Sequence, residues 1–320
     1  MRINYLILFF FQVSVFANLQ NIRQVTDESM GFKQAGEGYF SPDGKKIIFQ
    51  AVPVGKENFQ IYIMDLEEKK PFMVSTGVGA CTCANFRADG KKIIFASSHS
   101  NPNLDQEESQ QQTKGGKYKW NFTPYMNIYE ANLDGSDLIP LTTGSSYHAE
   151  CSYSVDGKKI VYASNEDGHM NLYIMNNDGS GKTQITFNTH CYYGGPFFSP
   201  DGGEVLFRAD KEREDYLQIY TVNLESLQHL QLTSNDYVNW APYYHPSGKY
   251  IAYTTSIHGH HQYEIYLLEL ESLKQTRLTF NPSFDGLPVF NWKGDKLLWT
   301  SKRGEKYSQL FIADFTFYRE

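Results

Sequence analysis

The segment Tyr39-Phe40-Ser41-Pro42-Asp43-Gly44-Lys45-Lys46-Ile47-Ile48-Phe49 decides the fold, because variants of it recur along the chain. They read NFRADGKKIIF from Asn85, SYSVDGKKIVY from Ser152, FFSPDGGEVLF from Phe197, YYHPSGKYIAY from Tyr243 and VFNWKGDKLLW from Val289. Aligned on Gly44, Gly90, Gly157, Gly202, Gly248 and Gly294, successive units stand 46, 67, 45, 46 and 46 residues apart. A Gly-containing turn, most often Asp-Gly, joins two runs rich in Ile, Val, Phe and Tyr. That pattern predicts a β-hairpin, since Gly enters positive φ without a Cβ clash.

Two further runs complete each unit. One follows a variable loop: IYIMDL from Ile61, IYEANL from Ile128, LYIMNN from Leu172, IYTVNL from Ile219 and IYLLEL from Ile265. The other ends in Leu-Thr or Ile-Thr, at Leu141-Thr142, Ile185-Thr186, Leu232-Thr233 and Leu278-Thr279. Four short strands in about 45 residues is the period of a propeller blade. The strands are nearly continuous apolar runs, as sheets covered on both faces require. The sixth unit has a third strand at Leu310 to Asp314 but no fourth, and Ile22-Arg23-Gln24-Val25-Thr26 matches the missing piece. The expected fold is therefore all-β: a six-bladed β-propeller closed by an N-terminal strand completing the last blade. Such closure removes two sheet edges that would otherwise invite aggregation.

The 320 residues are 41% hydrophobic and 20% charged, an ordinary globular composition. The net charge of -7 is spread along the chain, with no basic stripe for a nucleic acid. Residues 1–17 read as a signal peptide: Met1-Arg2, an apolar run from Tyr5 to Phe11, then Val15-Phe16-Ala17. The run is too short to span a bilayer, and the competing reading is an uncut N-terminal anchor. Cleavage near Ala17 would leave residues 18–320 as one propeller, periplasmic or secreted. A polar insertion at about 98–127 lengthens the second blade. It runs from Gln106-Glu107-Glu108 to Lys114-Gly115-Gly116-Lys117-Tyr118-Lys119-Trp120. A long loop of this kind is expected to be a lid or docking arm.

The repeats FSPDGKKIIF, then IYIMD, then a Leu-Thr strand, resemble those of TolB-type propellers with WD-like repeats, over roughly Asn18 to Phe315. The resemblance is specific for fold and weak for function. It implies an envelope protein that binds a partner. The TolB family carries an α/β domain ahead of its propeller, for which the stretch from Ala17 to Tyr39 is too short. Similar propellers precede hydrolases of the prolyl-oligopeptidase type, but the chain has no Gly-x-Ser-x-Gly elbow for a strained nucleophile.

In a propeller the inter-blade loops and the loops between second and third strands share one face, here called the upper face. Side chains just before each innermost strand are expected to converge on the channel mouth. The ligand-binding candidates are Glu37, Cys83, His99, His148, Glu150, Tyr193, Arg208, Asn239, Trp240, His258 and Asp285. Convergent polar groups in a concavity are the general mark of a ligand site. His148, Glu150, His190 and His258 form a candidate divalent-metal set, imidazole and carboxylate suiting Zn or Mn; the plain alternative is hydrogen-bonded or solvated histidines. Cys81, Cys83, Cys151 and Cys191 are open between disulfides, with Cys83–Cys151 conceivable, and buried free thiols. Aromatics in Tyr192-Tyr193-Gly194-Gly195-Pro196 and Asn239-Trp240-Ala241-Pro242-Tyr243 suit stacking on sugars or peptides, or simple inter-blade packing. The first reading is a non-enzymatic binding module for a protein, peptide or glycan, with no cofactor. The alternative is a metal-assisted lyase or hydrolase acting on a carbohydrate or peptide.

Overall fold

The computed structural model describes residues 15–104, 122–304 and 306–319. The apolar run of the expected signal peptide and the centre of the blade 2 insertion lie outside the described residues. Six separate four-stranded antiparallel sheets are arranged as a β-propeller, as the repeat predicts. Blade 1 runs Phe32–Phe40, Lys46–Pro53, Gln60–Asp65 and Pro71–Met73, from inside to outside. Blades 2 to 5 repeat that order, with inner strands Cys81–Phe86, His148–Tyr153, Tyr193–Phe198 and Asn239–Tyr244. Blade 6 takes Asp285–Phe290, Lys296–Ser301 and Gln309–Arg319 from the end of the chain, and Val15–Gln24 from its beginning.

Two recurrent devices explain the sequence signature. At the lower face, Ser41 donates its hydroxyl to Asp43 at 2.6 Å and accepts the Lys46 amide at 2.9 Å. Ser154 with Asp156 and Ser199 with Asp201 do the same. The turn Gly at each of the six sites has φ between 66° and 77°, which explains why Gly marks the repeat. On the outer side, the Thr of each Leu-Thr pair ties the fourth strand to the third. Thr142, Thr186, Thr233 and Thr279 accept the amides of Ile128, Leu172, Ile219 and Ile265 at 2.8–2.9 Å.

Thr26 performs that role in blade 6 from the opposite end of the sequence. Its hydroxyl accepts the Leu310 amide at 2.9 Å and donates to Gln309 at 2.9 Å, all of it buried. The closing strand thus uses the same chemistry as the others. Thr26→Val should cost about 1–3 kcal/mol, because it leaves a buried amide and a buried Gln oxygen without their partner. Denaturant unfolding checks this, and an unchanged midpoint would show the staple to be idle.

Blade packing supplies the core. Phe49, Phe95, Tyr162, Phe207, Tyr253 and Trp299 occupy the same register position of the second strand in successive blades, each at most 1% exposed. Large flat side chains between sheets remove the most apolar area from water per residue.

Candidate functional site

Each inner strand is broken by a β-bulge at the same place. Register shifts fall at Gly36/Gly38, Thr82/Asn85, Ala149/Ser152, Gly194/Phe197, Trp240/Tyr243 and Gly286/Val289. Six equivalent residues therefore adopt left-handed backbone: Glu37, Cys83, Glu150, Gly195, Ala241 and Leu287, with φ between 46° and 58°. Five of these are not glycine, and such a conformation costs an ordinary residue on the order of 1 kcal/mol. The repeated strain re-aims one residue per blade at the axis, a known use of bulges beside functional sites. Blades 1 to 3 place Glu37, Cys83 and Glu150 there. Blades 4 to 6 place Gly195, Ala241 and Leu287. Because the Arg208 guanidinium stands against Gly195, the polar groups extend over blades 1 to 4, and the small or apolar part is Ala241 and Leu287 of blades 5 and 6.

Glu150 is held on all sides. It accepts from the Tyr192 hydroxyl at 2.7 Å, from the Gly195 amide, and from Arg208 at 2.9 Å. Arg208 also donates to the Tyr192 hydroxyl at 2.7 Å. Both charged side chains are 7% exposed. Burial works against the Arg208 cation, and the attraction of Glu150 overrides it, so its pKa lies above the ordinary value. Two glycines make the network fit: a Cβ on Gly194 would lie 2.0 Å from the Tyr192 oxygen, and one on Gly195 would lie 1.9 Å from an Arg208 nitrogen. Arg208 reaches past them from the second strand of blade 4 to the inner strand of blade 3.

Glu37 is different. It is half-buried, its carboxylate receives the Tyr39 hydroxyl at 3.3 Å and a bond from the Cys83 thiol, and no ion pair to it occurs among the described residues. Burial pushes its pKa up to about 7, with the negative charge of Glu150 adding to the rise. Cys83 is held well above the usual thiol range, first by burial and then by Glu37 and Glu150. A protonated thiol in that setting is a poor nucleophile. Below this tier Tyr39, Phe197 and Tyr243, from blades 1, 4 and 5, meet with ring centroids 4.9–6.3 Å apart. Since blades 1 and 4 are opposite one another, the rings constrict the channel on the axis. Above it stand two aromatic groups, Phe122 with Tyr147 and Tyr192, and Trp240 with Tyr263 and Phe284.

The other candidates are placed elsewhere. His148, Tyr193, Asn239 and Asp285 open their inner strands two residues before the bulge, and all are buried within the blades. His148 hydrogen-bonds with Ser164 at 2.9 Å, and Tyr193 packs on Phe207 with centroids 5.2 Å apart. Asn239 donates to Gln218 at 2.9 Å, and Asp285 pairs with Arg303 and accepts from Trp299 at 3.2 Å. His99 hydrogen-bonds with Ser97 and lies 4.4 Å from the Tyr129 ring. His258 is exposed and hydrogen-bonds with Tyr266 at 2.8 Å, and His190 is exposed. The proposed metal set of His148, Glu150, His190 and His258 is accordingly not assembled. Among the described residues no group of three or more His, Cys, Asp or Glu side chains is disposed to hold a metal ion. The four cysteines are free, and the Cys151 thiol donates to the Cys83 carbonyl at 3.4 Å. Tyr192, rather than Tyr193, is the aromatic that joins the central network; its place just outside the strand carries no periodic signal.

No family model matches the chain. The Tol-Pal system protein TolB of Francisella tularensis subsp. mediasiatica is 31% identical over 118 residues. That match covers 36% of this chain and 27% of TolB, so it spans about a quarter of the curated relative's length. A structure assigned to TolB from Agrobacterium tumefaciens superposes with a TM-score of 0.62 at 17% identity, covering 95% of this chain and 99% of that one. An oligogalacturonate lyase from Vibrio parahaemolyticus superposes with a TM-score of 0.57 at 13% identity, covering 94% and 96%. At these identities the structural likeness speaks for fold alone. In fold, the chain is a TolB-like six-bladed propeller.

Proposed function

We propose that this chain is an exported, non-enzymatic binding module of the bacterial envelope, whose upper face takes a segment of a partner polypeptide into the channel mouth. The observation that carries the reading is the repeated left-handed bulge of the six inner strands, strained at its five non-glycine positions, above an axial aromatic constriction and beneath two aromatic groups. Strain retained at one equivalent position in five of the six blades is a feature that clusters at functional sites. The chemistry favours holding over transforming. Glu150 is saturated by three donors, the Cys83 thiol is kept protonated, and the histidines sit apart. A general acid or base needs a group free to exchange a proton with a substrate; Glu150 is not so placed, and Glu37, which could exchange one, has beside it only a protonated thiol, the Tyr39 hydroxyl and the engaged Glu150. Aromatic rings at the mouth supply rigid contact area of the kind that dominates peptide recognition.

Site-specific photo-crosslinking in cells tests this. A benzophenone amino acid at position 240 or 284 should yield a discrete adduct with an envelope polypeptide, and the same probe at position 156, on the lower face, should not. Adducts only from position 156, or none from the upper face, would overturn the reading. Stoichiometric Zn or Mn in the purified protein would instead favour the lyase or hydrolase. Export is checked by mass spectrometry of the mature N-terminus, expected to begin near Asn18.

A further inference from the structure

Resting on the reading above, we propose that the inner end of the channel is a subsite for an alkylammonium group, the end of a lysine side chain of the bound polypeptide, with Glu37 as its counter-charge. Three features of the lumen point to this ligand. First, the two carboxylates at the axis are not equivalent. Glu150 is neutralised by Arg208 and saturated by Tyr192 and the Gly195 amide. Glu37, on blade 1, accepts the Tyr39 hydroxyl at 3.3 Å and a bond from the Cys83 thiol, both uncharged, and among the described residues it forms no ion pair, Arg208 attracting it only from beyond contact. An ionised carboxylate has about four acceptor positions, so most of those on Glu37 are open to a donor from the lumen.

Second, beyond Arg208 the equivalent positions of blades 5 and 6 are the small and apolar Ala241 and Leu287. A slim polymethylene stem fits small and apolar walls, and its charged head can turn toward the carboxylate side. Third, the rings of Tyr39, Phe197 and Tyr243 lie directly below the carboxylate tier and pack within 6.3 Å of one another. Aromatic rings near a carboxylate are a favourable setting for a cation, and the hydroxyls on these rings are those of Tyr39 and Tyr243. An anion would meet Glu37 and the Glu150–Arg208 pair with no spare positive charge.

The subsite is also sensitive to pH. The charged and titratable groups facing Glu37 are Tyr39, Cys83, Glu150 and Arg208. Of these, Glu37 is the one brought near neutrality, because burial raises it to about 7. Its proton competes with the ammonium, so binding weakens as pH falls through that range.

Selection of a phage-displayed random peptide library on the full chain, wild type and Glu37→Gln, tests the subsite. Wild type should enrich peptides with lysine at one fixed position, and Glu37→Gln should lose that enrichment. Near-UV circular dichroism confirms that the variant is folded. In a selected peptide, lysine→norleucine should weaken binding to wild type by roughly 10- to 100-fold and binding to Glu37→Gln little. Affinity should drop when pH falls from about 8.5 to about 5.5 for wild type but not for Glu37→Gln. Peptides selected without a fixed lysine, or lysine peptides indifferent to Glu37, would overturn the subsite and leave the binding-module reading standing. Failure to select any peptide on the upper face would overturn both.

Discussion

Arg208→Met is expected to destabilise the protein by about 3–5 kcal/mol near neutral pH, the usual result of removing one member of a buried ion pair. The guanidinium and the Glu150 carboxylate are each 7% exposed and 2.9 Å apart. Methionine fills much of the volume left by arginine, so packing loss is a minor part of the effect. The main part is the stranded Glu150 charge, which keeps only the Tyr192 hydroxyl and the Gly195 amide. One result should accompany the loss. Glu150→Gln in the Arg208→Met background should recover much of the stability, because it removes the uncompensated charge. Equilibrium denaturation of the four proteins forms a double-mutant cycle that isolates the pair. A loss under about 1 kcal/mol would place the pair among solvent-screened salt bridges and contradict its enclosed geometry.

The same pair shows where a reading of residues ends and three-dimensional structure must take over. The blade count and ring closure are legible because each rests on short-range chemistry that repeats. The turn glycines have positive φ in every blade, and Thr26 stands to Leu310 as Thr142 stands to Ile128. The direction of inner-strand side chains is not legible in that way. A bulge inserts one residue and reverses the alternation beyond it. The bulged position is filled by Glu, Cys, Glu, Gly, Ala and Leu in turn, so composition does not mark it. The expectation that side chains just before each innermost strand converge on the channel mouth therefore directs His148, Tyr193, Asn239 and Asp285 there, whereas all four open their strands and are buried in the blades. Arg208 meets Glu150 only because Gly194 and Gly195 lack side chains that would obstruct it. The aromatic constriction by Tyr39, Phe197 and Tyr243 joins residues from three blades and has no local sequence signature either.

Glu37→Gln is expected to make the protein more stable at alkaline pH and to leave it nearly unchanged in acid. The sign follows from proton linkage. Burial raises the Glu37 carboxyl from 4.5 to about 7 in the folded state, so the folded protein binds this proton more tightly than the unfolded chain. Below about pH 4.5 both states hold the proton and Glu37 costs nothing. As pH rises through about 7, the folded state must accept a poorly solvated charge, and stability falls. At 1.36 kcal/mol per pKa unit the full effect is about 3 kcal/mol. Gln keeps the shape and the hydrogen bond from Tyr39 but carries no charge, so the variant's advantage should grow between pH 5 and 8 and then level off. The left-handed backbone at Glu37, with φ of 46°, is shared by both proteins and cancels in the comparison. A stability difference independent of pH would mean that Glu37 is ionised without penalty, its charge matched inside the protein. The expected result has a functional meaning. Selection tolerates such a cost where binding requires it, which is the role proposed above for Glu37.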